Sequence, residues 1–220
     1  MYERLNGLFT TLDLNKLNSA NILLVGIGGV GSACFEVLIR SGIKNITIID
    51  YDTYELSNLN RQLNSNINNI NKKKIDVLKD HALSINKEIN ITTIDEYINK
   101  DSNIDYTKYD YIIDACDSIE AKCLLIEKAY DNDVKIVSSL GVAKRLDPTK
   151  FKVGKMSKVE GDPLGKKLRI SLKKDGFNKD FNVLYSTELP IKCEGLSSYI
   201  GASMTAGLLI ADFVIKDLIK

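Results

Sequence analysis

Short apolar runs and amphipathic segments alternate along the first 140 residues of the chain. Five of these runs are apolar or β-branched and typical of buried strands; they cover 21–26, 46–50, 91–94, 109–114 and 134–138. Between them, apolar residues recur at helical spacing in three segments, which cover 30–38, 75–85 and 119–126. Strands that alternate with helices predict an α/β fold built on a doubly wound, mostly parallel sheet.

Basic residues accumulate in the second half of the chain. Residues 144–179 hold twelve Lys or Arg against four Asp or Glu. Three leucines share one face of a helix predicted to begin at Pro163, so we expect a basic extension of helices and loops. The most apolar stretch, 199–219, contains Asp212 and Lys216, which predicts a buried helix rather than a membrane span.

The composition is that of an ordinary globular chain of 220 residues, with 44% hydrophobic and 27% charged residues. This length supports one sizeable core and excludes a collagen-like repeat or a disulfide-stapled miniprotein. A net charge of +1 argues against a globally basic nucleic-acid binder but leaves room for a local basic patch. The four cysteines form no C-x-x-C pair, and no signal peptide is recognisable. We expect a cytoplasmic enzyme without a membrane segment.

Three glycines, Gly26, Gly28 and Gly31, form a G-x-G-x-x-G loop between the first predicted strand and the following helix. Such glycines let the backbone approach a phosphate, and the helix amino terminus offers unpaired N–H groups. Asp50 ends the second predicted strand, where a carboxylate can accept from ribose hydroxyls. The combination predicts a Rossmann-like nucleotide site but does not distinguish NAD from ATP. The alternative is that the glycines only permit tight packing of helix on strand.

Two cations and one carboxylate favour ATP over NAD. Arg61 and Lys74 could neutralise negative charge that grows on phosphates, and Asp117 could hold a magnesium ion that bridges them. Hydride transfer needs none of these groups. Alternatively, the two cations are solvated loop charges and Asp117 caps the next helix. The Asn-rich stretch 60–74 is either a surface loop or a mobile loop that covers the substrate.

Together these residues resemble the family of E1-like (ThiF/MoeB-type) adenylating enzymes, which includes the thiamine and molybdopterin sulfur-carrier activators. The resemblance covers nearly the whole chain and is most specific in 26–31, 50–52, 58–62, Lys74 and 114–117. It implies a homodimer that uses ATP and Mg²⁺. It also implies one domain with three parts, which are a nucleotide-binding core (1–143), a basic substrate-binding segment (144–195) and a C-terminal helix packed on the core (196–220).

The resemblance further implies roles for individual residues. Arg61, Lys74 and Asp117 would be catalytic, with Asp117 on magnesium, and Arg4 would reach the ATP of the partner subunit. Asp50 would contact the ribose. The whole nucleotide-binding set would comprise the glycine loop and the polar residues near it: Gly26, Gly28, Gly29, Gly31, Asp50, Asp52, Ser57, Asn58, Asn60, Gln62 and Ser118.

Four stretches resemble one branch of this family, the tRNA threonylcarbamoyladenosine dehydratases; they are 3–7, 147–150, 162–169 and 185–188. That branch activates the threonyl carboxylate of a modified adenosine in tRNA, and the adenylate is attacked from within the same substrate. Because the nucleophile is already held near the activated carbonyl, no enzyme cysteine is required. The branch often has a cysteine where Val183 stands here, which weakens any covalent role and leaves adenylation untouched.

The branch also suggests partners for the chain. Substrate tRNA phosphates would be contacted by the predicted basic helix, through Lys166, Lys167, Arg169 and Lys173. The alternative is a solvated amphipathic helix. Relatives hold a monovalent cation (Na⁺ or K⁺) near the site, and a sulfur-trafficking protein partner stays open.

Two other functions compete with this one. A sulfur-carrier activator would adenylate the C-terminal Gly-Gly of a ubiquitin-like protein, and any thioester relay would rest on Cys193, for which an inert thiol is the simpler interpretation. An NAD enzyme or a non-catalytic nucleotide-binding module would leave Arg61, Lys74 and Asp117 without a role.

Overall fold

The structure, a computed structural model, describes residues 3–195 and 197–220. Seven strands form one sheet: β1 (Asn21–Val25), β2 (Asn45–Ile49), β3 (Asn90–Ile94), β4 (Tyr111–Asp114), β5 (Lys135–Ser139), β6 (Phe151–Lys155) and β7 (Asn182–Ser186). Their order across the sheet is β3-β2-β1-β4-β5-β7-β6. Neighbouring strands are parallel except at the edge, where β6 runs antiparallel to β7.

In the part of the chain that the structure describes, six α-helices surround this sheet: α1 (Thr11–Ser19), α2 (Gly29–Arg40), α3 (Lys74–Ile85), α4 (Ile119–Asp131), α5 (Pro163–Lys174) and α6 (Ile200–Ile219). Local sequence explains where several begin. Ser118 caps α4 by accepting from the Ala121 N–H, and Asp162 caps α5, whose first residue is proline.

The core is divided between the two faces of the sheet because successive side chains on a strand point in opposite directions. Ile22 and Leu24 of β1 face a cluster that includes residues of α1, α2, α3 and α6. Leu23 and Val25 face a second cluster, which includes residues of α4 and α5. Both faces of β1 are therefore buried, which explains why its sequence is an unbroken apolar run.

Helix α6 packs against α2 at very short range. A Cβ added to Gly207 would lie 2.4 Å from the Val30 carbonyl oxygen, so only glycine lets the two backbones approach this closely. Among the described residues, no helix is long and apolar enough to cross a membrane.

The predicted α/β class and the doubly wound, mostly parallel sheet are confirmed. The five predicted strands and the helices between them all form. The second half differs from expectation, because β6 and β7 extend the same sheet through a segment that was predicted to hold helices and loops. Helix α1 was also not predicted.

Candidate nucleotide site

A cavity of about 520 Å³ opens at the carboxyl ends of the parallel strands. Its wall is built from the turns after β1, β2, β3, β4 and β5. The chain leaves β1 and β4 toward opposite faces of the sheet, so the cavity lies at the topological switch point, where doubly wound proteins bind their ligands. The volume falls in the range usual for small-molecule sites.

The glycine turn supports both interpretations of the motif at once. Gly26 has φ +82°, and an added Cβ would lie 2.7 Å from the Cys116 nitrogen, so this glycine is required for packing. An added Cβ on Gly31 would lie 1.9 Å from the Gly26 oxygen, and Gly31 does not line the cavity. Gly28 and Gly29 do line it, at the uncapped start of α2. The backbone N–H groups at that helix start suit an anion.

Asp50 fastens the glycine turn to the end of β2. It is buried, with 8% of its surface exposed. One carboxylate oxygen accepts from the Ile27 N–H at 2.8 Å, and the other accepts from the Asp52 N–H at 2.9 Å. Asp50 also lines the cavity, where a ribose could reach it. Its contact with a ribose stays a prediction.

Lys74 is a buried charge in the cavity wall and is not a solvated loop residue. It begins α3, is 4% exposed, and its Nζ lies 2.7 Å from Asp52 Oδ2. The Asp52 side chain is about half exposed and also lines the cavity. A buried ammonium needs a negative partner, which Asp52 supplies. Because both residues line the cavity, an anion bound there can also approach the Lys74 ammonium.

Arg61 reaches the cavity from a turn that holds its guanidinium. Its Nη1 donates to the Ser57 carbonyl at 2.8 Å and to Asn60 Oδ1 at 3.0 Å. Ser57 and Asn60 were predicted to bind nucleotide, but they do not line the cavity and instead orient Arg61. The 60–74 stretch forms hydrogen-bonded turns before α3, with a short 3-10 helix over Ile67–Asn69.

Asn58 and Gln62 are buried residues of the same wall. The Asn58 amide oxygen accepts from the Glu55 N–H at 3.1 Å, which closes the turn. Gln62 Oε1 is buried and has no hydrogen-bond partner among the described residues. Because buried polar atoms are normally satisfied, this oxygen fits a ligand donor in the cavity.

Asp117 and Ser118 lie on the turn after β4 and line the cavity. The Asp117 side chain is exposed, whereas Ser118 Oγ caps α4 and lies 2.6 Å from the Tyr97 hydroxyl. The alternative that Asp117 caps this helix is therefore wrong. Within 3–195 and 197–220, no group of three or more metal-binding side chains occurs. A single carboxylate nevertheless suits Mg²⁺, which commonly combines one or two carboxylates with substrate phosphates.

The cavity floor also contains the Cys116 thiol. Burial raises the pKa of this thiol well above its ordinary value, and the nearby Asp114 carboxylate raises it further. The thiol is therefore protonated at neutral pH and unsuited to act as a nucleophile. Cys193 lies exposed in a loop outside the cavity wall.

The remaining predicted residues lie outside this cavity. Arg4 occupies an exposed 3-10 turn (Glu3–Leu5) and does not line the cavity of its own chain. On α5, Lys166, Lys167 and Lys173 are exposed. Arg169 differs from them, because its Nη2 donates to the Met156 and Val159 carbonyls at 2.7 and 3.0 Å. Its guanidinium is thus occupied in holding the turn before α5.

Several residues of the cavity wall were not predicted, including Tyr51, Glu96, Tyr97, Val142, Ala143 and Ser203. The first five lie in the loops that follow strand ends, and this position is the signal that could have found them. Ser203 comes from α6, and no local pattern places that helix beside the glycine turn.

This fold and site define a doubly wound α/β protein with cationic groups beside a glycine turn. Residues 2–160 match the ThiF family, and the chain belongs to that family. It is 32% identical over 228 residues to the tRNA threonylcarbamoyladenosine dehydratase of Bacillus subtilis, with 94% of this chain and 90% of the relative covered. It is also 32% identical over 133 residues to the molybdopterin-synthase adenylyltransferase of Haemophilus influenzae, with 60% and 54% covered. The crystal structure of the Escherichia coli tRNA N6-threonylcarbamoyladenosine dehydratase in complex with ATP superimposes with a TM-score of 0.93 at 32% identity, covering 99% of this chain and 94% of that one. The predicted resemblance is confirmed.

Proposed function

We propose that this chain uses ATP to adenylate a carboxylate, and that the carboxylate belongs to N6-threonylcarbamoyladenosine in tRNA. The product is the cyclic, dehydrated form of that nucleoside. The observation that carries this assignment is the cavity beside the glycine turn, whose wall contains a buried lysine, an arginine and an exposed carboxylate. The choice of substrate is supported by two relatives, those of Bacillus subtilis and Escherichia coli, which are named as dehydratases of this nucleoside and of which 90% and 94% are covered.

Adenylation joins a carboxylate oxygen to the α-phosphorus of ATP and releases pyrophosphate. Lys74 and Arg61 stabilise the negative charge that develops on the phosphates, and the N–H groups at the start of α2 contribute to the same end. Mg²⁺, when bound, neutralises further phosphate charge, and Asp117 is the residue that would hold it.

Ring closure completes the reaction without a covalent enzyme intermediate. A nucleophile within the same nucleoside attacks the activated acyl carbon, and AMP leaves with the former carboxylate oxygen. The nucleoside therefore loses one water overall. Because both reacting groups belong to one bound molecule, the step needs positioning more than a strong nucleophile, in accord with the protonated Cys116 thiol.

Helix α5 is the proposed tRNA contact. Its first turn lies beside the loop after β5, since a Cβ on Gly141 would lie 3.2 Å from Asp162 Oδ2. Val142 and Ala143 of that loop line the cavity. The exposed lysines of α5 thus lie on a helix that begins near the cavity edge, and they can bind phosphates without regard to sequence.

Other parts of the assignment rest on the resemblance to relatives. The homodimer, the role of Arg4, the cytoplasmic location and Mg²⁺ belong to this proposal. The monovalent cation and the sulfur-trafficking partner stay predictions that rest on the same resemblance.

Mass spectrometry of tRNA nucleosides tests this function directly. The chain is incubated with tRNA that carries the modified nucleoside, with ATP and MgCl₂, and the digested nucleosides are weighed. We expect an ATP-dependent loss of the mass of one water. A matched reaction uses ATP with a methylene group between the α- and β-phosphorus, which cannot release pyrophosphate and should leave the mass unchanged.

The same assay separates the rival function, which the molybdopterin-synthase adenylyltransferase relative favours. A small carrier protein that ends in Gly-Gly replaces the tRNA, and the intact carrier is weighed. An adenylated carrier together with unchanged tRNA would contradict our assignment and support carrier activation.

A further inference from the structure

A buried ion pair lies beneath the cavity floor. Asp114 is the last residue of β4 and Lys122 lies in the first turns of α4, and neither side chain is exposed. Lys122 Nζ lies 3.1 and 3.0 Å from the two Asp114 oxygens and donates to the Ser139 carbonyl at 2.7 Å. The Ser138 hydroxyl donates to the same carboxylate. The pair therefore joins the ends of β4 and β5 to α4.

The same carboxylate holds the turn that carries Asp117. Asp114 Oδ1 accepts from the Cys116 backbone N–H at 3.2 Å and from its thiol at 3.0 Å. Cys116 directly precedes Asp117, and a Cβ added to Gly26 would lie 2.7 Å from its backbone nitrogen. The 115–118 turn is thus held in two ways, by the Ala115 N–H, which donates to the Val25 carbonyl at 2.8 Å, and by the Asp114 carboxylate, which holds Cys116 next to Asp117.

Stability alone is a weak explanation for this pair. Burial disfavours the charged form of Lys122, but the attraction of Asp114 outweighs it, and the pKa of Lys122 lies above its ordinary value. Desolvating two charges costs about as much as their attraction returns, and an apolar replacement is often as stable. What the pair supplies, and an apolar pair cannot, is a fixed acceptor for the Cys116 N–H.

We propose that Asp114 and Lys122 are positioning residues that hold Asp117 at the cavity wall for a magnesium–nucleotide complex. This rests on the proposed function, in which Asp117 holds the metal. Groups that orient a metal-binding side chain typically change metal affinity about 10–100-fold when they are replaced.

Calorimetric titration of ATP at increasing MgCl₂ concentration tests this role without measuring turnover. In Asp114→Asn/Lys122→Met, the amide keeps one acceptor for Cys116 but loses the ammonium that fixes both oxygens. We expect a folded protein in which the Mg²⁺ concentration for half-maximal enhancement of ATP binding rises about tenfold. In an Asp117→Asn background the same pair of changes should add nothing, because both act on one group.

A second buried ion pair, Arg145–Asp162, offers a matched control; its side chains lie 3.3 Å apart on the side of α5. Arg145→Met/Asp162→Asn removes equivalent charges and should leave the Mg²⁺ dependence unchanged. If the Asp114/Lys122 variant does not fold, Ser138→Ala removes a single donor to Asp114 and should raise the Mg²⁺ requirement by a smaller factor.

Three results would overturn this role. The first is a folded Asp114/Lys122 variant whose ATP binding has wild-type Mg²⁺ dependence. The second is an effect of the same size when the two changes are made in the Asp117→Asn background. The third applies if the Asp114/Lys122 variant does not fold, and it is an unchanged Mg²⁺ requirement in Ser138→Ala. If the wild-type chain failed to bind ATP at all, the proposed function itself would be contradicted.

Discussion

At the scale of single residues, Lys74 is the most informative group of the site. Its ammonium is buried in the cavity wall, and Asp52, its partner at 2.7 Å, is half exposed. A cation that is paired on one side and faces a cavity on the other is preorganised for an anion. Because the partner can be resolvated, loss of Lys74 should harm catalysis more than folding.

Replacing Lys74 by Met is therefore expected to lower kcat for ATP-dependent pyrophosphate release about a hundredfold or more, since a preorganised charge is removed. The melting temperature should change little. The matched control is Lys72→Met, two positions earlier, where the lysine is exposed and lies outside the cavity wall. Wild-type turnover in the Lys74 variant, or an equal loss in both variants, would contradict this role.

Sequence could predict the residues whose chemistry follows from a motif, but not how each side chain is used. Gly26, Asp50 and Lys74 were all placed near one nucleotide site, and all line one cavity. Ser57 and Asn60 also stand in a motif, yet they support Arg61 because a tight turn folds them back onto it. Such outcomes depend on turn geometry, which residue spacing does not encode.

At the scale of secondary structure, α5 combines two kinds of basic residue. Lys166, Lys167 and Lys173 are exposed, whereas Arg169 binds two carbonyls of the preceding turn. The lysines are thus free to contact phosphates, and Arg169 holds the helix against Met156 and Val159. The two kinds should respond differently to mutation.

Charge reversal at the three lysines is expected to weaken tRNA binding and to flatten its salt dependence, by about 0.9 in log–log slope for each phosphate that is no longer neutralised. ATP affinity should not change. Filter binding across a salt series measures the tRNA affinity and its slope. Reversal of three exposed lysines elsewhere, Lys87, Lys108 and Lys216, is the control of equal charge. Equal effects of the two triple variants on tRNA binding would contradict a specific role for α5.

Arg169→Ala should instead lower the melting temperature.

The elements that sequence did not predict differ in their local signals. In α1 only Leu17 is buried and Leu12 is 65% exposed, so apolar periodicity is faint there. Strand β6 contains Gly154 and is followed directly by a 3-10 turn, which is typical of a short edge strand. Strand β7 has a buried apolar run, but its place in the sheet is set by its pairing with β5 and β6. Pairing over this distance is a tertiary effect.

At the scale of the whole molecule, the order of strands determines the site. The alternation of strands and helices predicts the class of sheet, but the placement of β1 beside β4 creates the crevice in which the glycine turn and Asp117 meet. The distribution of charge over the surface also depends on the fold. A net charge of +1 conceals a basic segment, four of whose lysines the fold places on the single helix α5.

One predicted residue lies apart from the cavity of its own chain. Arg4 is exposed on its turn and is not part of that cavity wall, so its proposed contact with ATP involves a second chain. In a twofold dimer each chain would supply Arg4 to the other's cavity. Two defects placed on different chains can then compensate each other, which gives a test of both the dimer and the residue.

Arg4→Ala and Lys74→Ala chains should each be nearly inactive alone. After subunit exchange in an equal mixture, half of the dimers are mixed, and each contains one cavity with Lys74 of one chain and Arg4 of the other. Turnover should therefore recover to about a quarter of the wild-type value per cavity. If Arg4 acted within its own chain, no mixed dimer would contain an intact cavity and no activity would return. Full activity of Arg4→Ala alone would show that the residue has no part in the reaction.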